Sequence, residues 1–299
     1  MITVFGSINM DLIATTPRLP KPGETLAGTG FTTAAGGKGA NQALAATRAG
    51  ATVRMAGAVG SDAFATDALA LMKDAGTDLS AVKVVDDATG TAHILVGGDG
   101  ENVIIVVASA NGKVSTEDAL AAVAAMEKDD TLVLQLEVPA PSIEAALSAA
   151  KKAGIRSIIN IAPLTSDAAR LGRMADIVVA NETEFELLAG KSGLASEDRI
   201  AEMRRLHDET GQTIIVTLGA EGVVALRDGT LHTAKGLKIE PVDTVGAGDT
   251  FCGYLAASLD AGLDFEKALR RAAVAGSLAC LKPGAQPAIP LAAEVEASL

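Results

Sequence analysis

One alternation runs through the second half of the chain and restricts the fold more than any other feature. From Thr116 onward, short apolar runs alternate with helical patterns: helix 116–128, strand 131–136, helix 142–153 closed by Gly154, strand 156–161, strand 176–180, helix 182–189, helix 196–210 and strand 213–216. Apolar runs separated by helices predict a parallel sheet covered on both faces. The first half continues the theme with strands 2–5 and 53–59 and helices 38–49 and 62–75. The expected fold class is α/β, a doubly wound, mainly parallel sheet with helices on both faces.

Two segments break this pattern. Residues 91–96 and 102–108 flank Gly97-Gly98-Asp99-Gly100 and read as a hairpin, and a glycine-punctuated extended stretch precedes Gly36. Together they predict a small β-sheet lid made of residues about 10–35 and 88–108, within a single domain spanning 1–299. Val103 to Val107 is apolar on both faces, which an exposed lid tolerates only if each face is covered. Substrate on one side and a second subunit on the other would do so, giving a homodimer through the lids. A second hairpin is expected where 223–226 and 231–234 flank Asp228-Gly229. Helices over 250–261 and 265–281 close the chain.

Composition excludes several functions. With Phe 6, Tyr 1 and Trp 0, the core must be aliphatic and the chain lacks stacking platforms for bases. A net charge of −12 repels phosphate backbones and anionic membranes, and no basic run offsets it locally. Nucleic acid and membrane partners are therefore not expected. No basic leader and no apolar run near the roughly 18 residues of a membrane span is present, so the expected location is cytoplasmic. Cys252 and Cys280 lie in apolar helical patterns without CxxC spacing and read as packing residues.

Polar residues gather where the strands end. Asn9 and Asp11 follow the first strand, Glu137 follows 131–136, Asn160 ends its strand, Asn181 follows 176–180, and Thr217 to Gly219 close 213–216. Ligands bind at the carboxyl ends of strands in open α/β sheets. Asn9 and Asp11 also fit a simple Asx-turn, and Asn181-Glu182-Thr183-Glu184 fits a helix cap with an acid at its third position. His93 has no metal-ligand or triad spacing.

Two glycine motifs carry the chemistry. In Asp243-Thr244-Val245-Gly246-Ala247-Gly248-Asp249-Thr250-Phe251 a flexible turn runs into an apolar helix. Unpartnered amides of Gly246, Ala247 and Gly248 there make an anion site, with Asp249 at its lip as a proton acceptor. Asp249 as a plain N-cap is the alternative. Near the other end, Gly36-Gly37-Lys38-Gly39-Ala40-Asn41-Gln42 opens a helix. It is not a P-loop, because Thr32 stands where the first glycine belongs and Gly39 where Ser or Thr belongs. There is no GxGxxG, and Lys38 also reads as a solvated helix-start lysine.

These two motifs, in this order, resemble the signatures of the ribokinase family of carbohydrate kinases, the PfkB family, and the resemblance spans nearly the whole chain. It implies a ribokinase-like fold and ATP-dependent phosphorylation of a sugar hydroxyl. By resemblance, Asn9, Asp11, Gly37, Lys38, Asn41, Glu137 and Asp249 would bind the sugar. Asn181, Thr217, Gly219, Gly222 and Gly248 would bind the nucleotide, and Glu184 would act on Mg²⁺ through water. Asp243, Val245, Ala279, Lys282 and Gly284 would surround K⁺ or another monovalent cation. Pro283 and Ala288 depart from the usual tail and imply a weakened cation site. Gly284-Ala285-Gln286-Pro287 together with GGKGANQ favours D-ribose, phosphorylated at O5. Another pentose, a hexose or a nucleoside remains an alternative substrate, and a non-catalytic sugar-binding regulator an alternative function.

Overall fold

The computed structural model describes residues 1–299. Thirteen strands form two sheets: β1 (Ile2–Phe5), β2 (Asn9–Thr15), β3 (Gly30–Gly36), β4 (Val53–Gly60), β5 (Asp78–Val85), β6 (Gly90–Val96), β7 (Asn102–Val107), β8 (Thr131–Leu134), β9 (Arg156–Asn160), β10 (Ile177–Asn181), β11 (Thr213–Thr217), β12 (Val223–Arg227) and β13 (Thr230–Ala234). The ten helices are α1 (Lys38–Arg48), α2 (Phe64–Ala75), α3 (Thr116–Ala124), α4 (Ala140–Ala153), α5 (Ala168–Gly172), α6 (Glu182–Ala189), α7 (Ser196–Thr210), α8 (Ala247–Asp260), α9 (Phe265–Ala279) and α10 (Ala292–Glu296). No helix is long and apolar enough to cross a membrane.

The larger sheet has nine strands in the order β13-β12-β11-β10-β9-β8-β1-β4-β5, parallel except for the antiparallel β12 and β13 at one edge. Alternate side chains feed two cores. Ile2, Val4, Val133, Ile158 and Ile215 face α1, α2, α8 and α9, while Phe5, Leu132, Leu134, Ile159 and Ile214 face α3 to α7. This period-2 division is why the central strands read as unbroken apolar runs. The smaller sheet, in the order β3-β2-β6-β7, leaves the larger one where β1 gives way to β2.

Several boundaries differ from expectation. The helix expected to begin at Thr250 begins at Ala247, because Gly246 takes a left-handed conformation (φ 76°) and starts the turn without a side-chain cap. Asp249 is therefore the third helical residue, and Gly246 holds the N-cap position. β5 and the short α5 and α10 had no sequence counterpart. The helix expected over 116–128 stops at Ala124, and the one expected to reach Leu281 stops at Ala279.

Helices α1 and α8 pack unusually close. A Cβ at Gly253 would lie 2.5 Å from Ala45 Cβ and 2.6 Å from the Gln42 carbonyl oxygen, so only glycine permits this contact.

Candidate active site

Asn9 and Asp11 alternate along β2 and share one face, both buried. The Asn9 side-chain oxygen accepts from Asn111 Nδ2 at 2.7 Å. Asn111 also accepts from the Ile8 amide at 2.9 Å and donates to the Ile8 carbonyl at 3.0 Å, pinning the entry to β2 like a partner strand. Glu137 Oε2 accepts from Ser7 Oγ at 2.5 Å and from the Lys38 amide at 3.0 Å. Gly37 joins these groups. Its φ is 89°, and a Cβ there would lie 2.7 Å from the Asn9 nitrogen, so glycine alone lets the start of α1 press against β2.

Asp249, in the first turn of α8, faces the first turns of α1. Its two oxygens accept separately, Oδ2 from Asn41 Nδ2 and Oδ1 from Gln42 Nε2, each at 2.9 Å. Beside it the amides of Gly246 and Gly248 have no partner within the chain, while the Ala247 amide makes a long 3.3 Å bond to the Thr244 carbonyl. A cavity of about 210 Å³ opens over these amides, lined by Lys38, Asn160, Asn181, Glu184, Thr217, Thr244, Gly246, Gly248, Asp249 and Cys252 among others.

The electrostatics are those of one cation among acids. Asp249 foremost, with Glu137 and Glu184, raises the Lys38 ammonium, and burial opposes this. Lys38 is thus a cavity residue and not a solvated helix-start lysine. Burial, then Glu137 and Asp249, pushes the Asp11 carboxyl up to about 7. Burial also raises Glu184, against the Asn181 amide that favours its anion. Asn181 and Glu184 form a reciprocal capping box, with both bonds at 2.8 Å, and still line the cavity, so the cap and the site coexist.

A kinase needs a base, an anion cradle and a shielded acceptor site in one place, and comparison with known proteins decides the matter. The family model "pfkB family carbohydrate kinase" matches residues 1–292. This chain belongs to that family. A ribokinase of Haemophilus influenzae is 36% identical over 290 residues, 97% of this chain and 95% of that protein. A deoxyribokinase of Salmonella typhi is 35% identical over 292 residues, with 97% and 95% covered. The structure of Arabidopsis thaliana ribokinase complexed with ribose and ATP superposes with a TM-score of 0.89 at 33% identity, covering 99% of this chain and 97% of that one.

As a pfkB-family carbohydrate kinase, the protein transfers a phosphoryl group to an alcohol acceptor. Its fold is ribokinase-like, and the small four-stranded sheet belongs to that fold. Other expected residues of this kinase fall outside the cavity. Gly219 and Gly222 flank the short turn beyond Thr217 and do not line it. The Asp243 carboxylate accepts from the amides of Val245 at 3.0 Å and Gly284 at 2.9 Å, tying the glycine turn to the C-terminal segment. Lys282 points its ammonium at Glu294, 3.6 Å away. His93 is exposed on the smaller sheet and bonds Thr91. Cys252, expected only to pack, also borders the cavity, and burial pushes its thiol up so that it stays protonated. Asn111, Ser7 and Gln135 carried no sequence signal, because their partners lie far away in the chain; Asn111 and Ile8 are 103 positions apart.

Proposed function

We propose that this kinase is an ATP-dependent ribokinase, phosphorylating D-ribose at O5. The observation that carries the reading is Asp249: one carboxylate, held by two amide donors from α1, is near enough to the buried Asp11 to raise its carboxyl and lines one cavity with Gly246 and Gly248, whose amides are free. GGKGANQ, GAQP and the similarity to ribokinases support ribose as the acceptor. The deoxyribokinase relative at nearly the same identity makes 2-deoxy-D-ribose the second reading.

In this reading Asn9, Asp11, Gly37, Asn41 and Glu137 hold the sugar hydroxyls. Asp249 takes the proton of O5 as that oxygen attacks the γ-phosphorus, and the Gly246 and Gly248 amides, with Ala247 once its long bond to Thr244 yields, receive the developing charge. Lys38 faces the transferred group from the opposite helix. Thr217, Asn181 and, nearby, Gly219 and Gly222 border the nucleotide. Positioning and charge stabilisation supply most of such a barrier reduction.

Glu184 fits a magnesium role: it is buried beside the cavity, and its second oxygen makes no hydrogen bond in the chain. Mg²⁺ keeps several waters and needs few carboxylates, so one acid suffices; when bound it neutralises phosphate charge. For a monovalent cation, the Ala279 carbonyl is unpartnered because Pro283, four residues on, has no N–H to give. The methyl side chain of buried Ala288 offers no oxygen. A single kinase domain with residues about 10–35 and 88–108 as its lid completes the proposal, with dimerisation through that lid.

A coupled ADP-release assay with ATP and Mg²⁺ over D-ribose, 2-deoxy-D-ribose, other pentoses, fructose, adenosine and inosine tests the substrate. D-ribose is expected to give the highest kcat/KM. Another acceptor with a higher kcat/KM than D-ribose overturns it.

A further inference from the structure

Gln42 is fully buried, lies off the cavity and has no part in the steps above, yet it is the sole donor to one oxygen of Asp249. Its orientation is fixed by the chemistry of its neighbours. A carboxylate only accepts, so Nε2 must face Asp249, and the same nitrogen reaches Asn160 Oδ1 at 3.3 Å. Asn160 is held in turn by its own Nδ2 donating to the Val179 carbonyl at 3.3 Å. Gln42 Oε1, turned the other way, accepts from Gln135 Nε2 at 2.7 Å. The row Gln135, Gln42, Asp249 therefore runs in one direction, from the end of β8 through α1 to the base. Asn160 anchors it to the end of β9.

We infer that Gln42 is a positioning residue for phosphoryl transfer, backed by Gln135 and Asn160, and that it fixes the plane of the Asp249 carboxylate. The terminal torsion of an aspartate is broad and roughly two-fold, so a single donor leaves the group free to swing. Two donors from consecutive residues of α1, one on each oxygen, remove that freedom and leave the remaining lone pairs facing the acceptor hydroxyl. Misplacing a reacting group by about 1 Å costs on the order of 10² in rate, which is the scale at which such a brace acts.

The inference rests on Asp249 being the base, and the experiment separates the two. Gln42→Met keeps the volume and removes the donor. It is expected to lower kcat about 10- to 100-fold while KM for ribose and ATP stays within about threefold. In an Asp249→Asn background the same change is expected to lower kcat by less than about threefold, since both act on one step. Gln135→Met leaves the Gln42 to Asp249 contact in place but frees its far end, with an expected kcat loss of about 3- to 10-fold. It carries the test if thermal melting shows Gln42→Met to be unfolded. Wild-type kcat in the folded glutamine variants, or an undiminished loss in the Asp249→Asn background, overturns the positioning role. Near-wild-type kcat in Asp249→Asn alone overturns the base assignment itself, and this inference with it.

Discussion

Asp249 sits where removing a single charge tests the chemistry without disturbing the helix. Gly246 and not Asp249 holds the N-cap position, so Asp249→Asn keeps the start of α8 intact and retains an acceptor for Asn41 or Gln42. The expected result is a fall in kcat of roughly 10² to 10⁴ with little change in sugar affinity, read by steady-state kinetics beside ribose calorimetry. Asp11 gives a pH signature. Burial and two neighbouring acids raise its carboxyl from 3.8 to about 7, so it carries a proton below that pH and accepts sugar hydroxyls best above it. KM for ribose is expected to rise as pH falls through 7, and Asp11→Asn to abolish that dependence. The linked stability effect has the opposite slope. Between the unfolded value of 3.8 and the folded value of about 7 the native state binds more protons, so the fold loses stability as pH rises, and Asp11→Asn flattens this trend in pH-dependent melts. The residues that act through local sequence were legible: glycines at helix starts and polar groups at strand ends each announce themselves within a few positions. Ser7, Asn111 and Gln135 were not, since only the topology brings them to their partners.

At the scale of elements, β7 is the most exposed apolar strand in the protein. Ile105 is 61% exposed and Val106 50%, on opposite faces, and the strand lies at the edge of the smaller sheet. An uncovered apolar edge invites pairing. A homodimer joined through these sheets is expected at micromolar concentration, and a monomer in sedimentation equilibrium sinks the idea. Ile105→Asp and Val106→Asp should then part company, one breaking the dimer and the other raising KM for the sugar. Elements with a strong period were readable in advance, as the buried runs of β1, β8 and β11 show. β5 was not, because Asp78, Ser80 and Lys83 interrupt a half-exposed edge strand that pairs only with β4. The start of α8 was misplaced by three residues because Ala247 and Gly248 carry no apolar signal although their backbone is helical.

Across the whole molecule, the C-terminal tail closes back on both glycine motifs. Arg48 of α1 donates to the carbonyls of Gln286 at 2.9 Å and Ile289 at 2.6 Å, Gln286 reaches the Gly36 carbonyl at 3.4 Å, and Asp243 holds the Gly284 amide. A cation bound in that tail would stiffen the anion cradle from behind. With the Ala279 carbonyl free but a methyl at Ala288, potassium is expected to raise kcat only at roughly tens of millimolar or above. Equal rates in potassium and tetramethylammonium buffers across that range, or saturation below about a millimolar, would contradict it. The contact of α1 with α8 bears on something else. Since these helices meet at Gly253 with only the Ala45 methyl between their backbones, Asn41, Gln42 and Asp249 ride on one closely packed block. Whatever the smaller sheet does, the spacing between Asn41, Gln42 and Asp249 is then set by this one helix pair. Even a single methyl at position 253 would loosen the block and let motion leak into the chemical step.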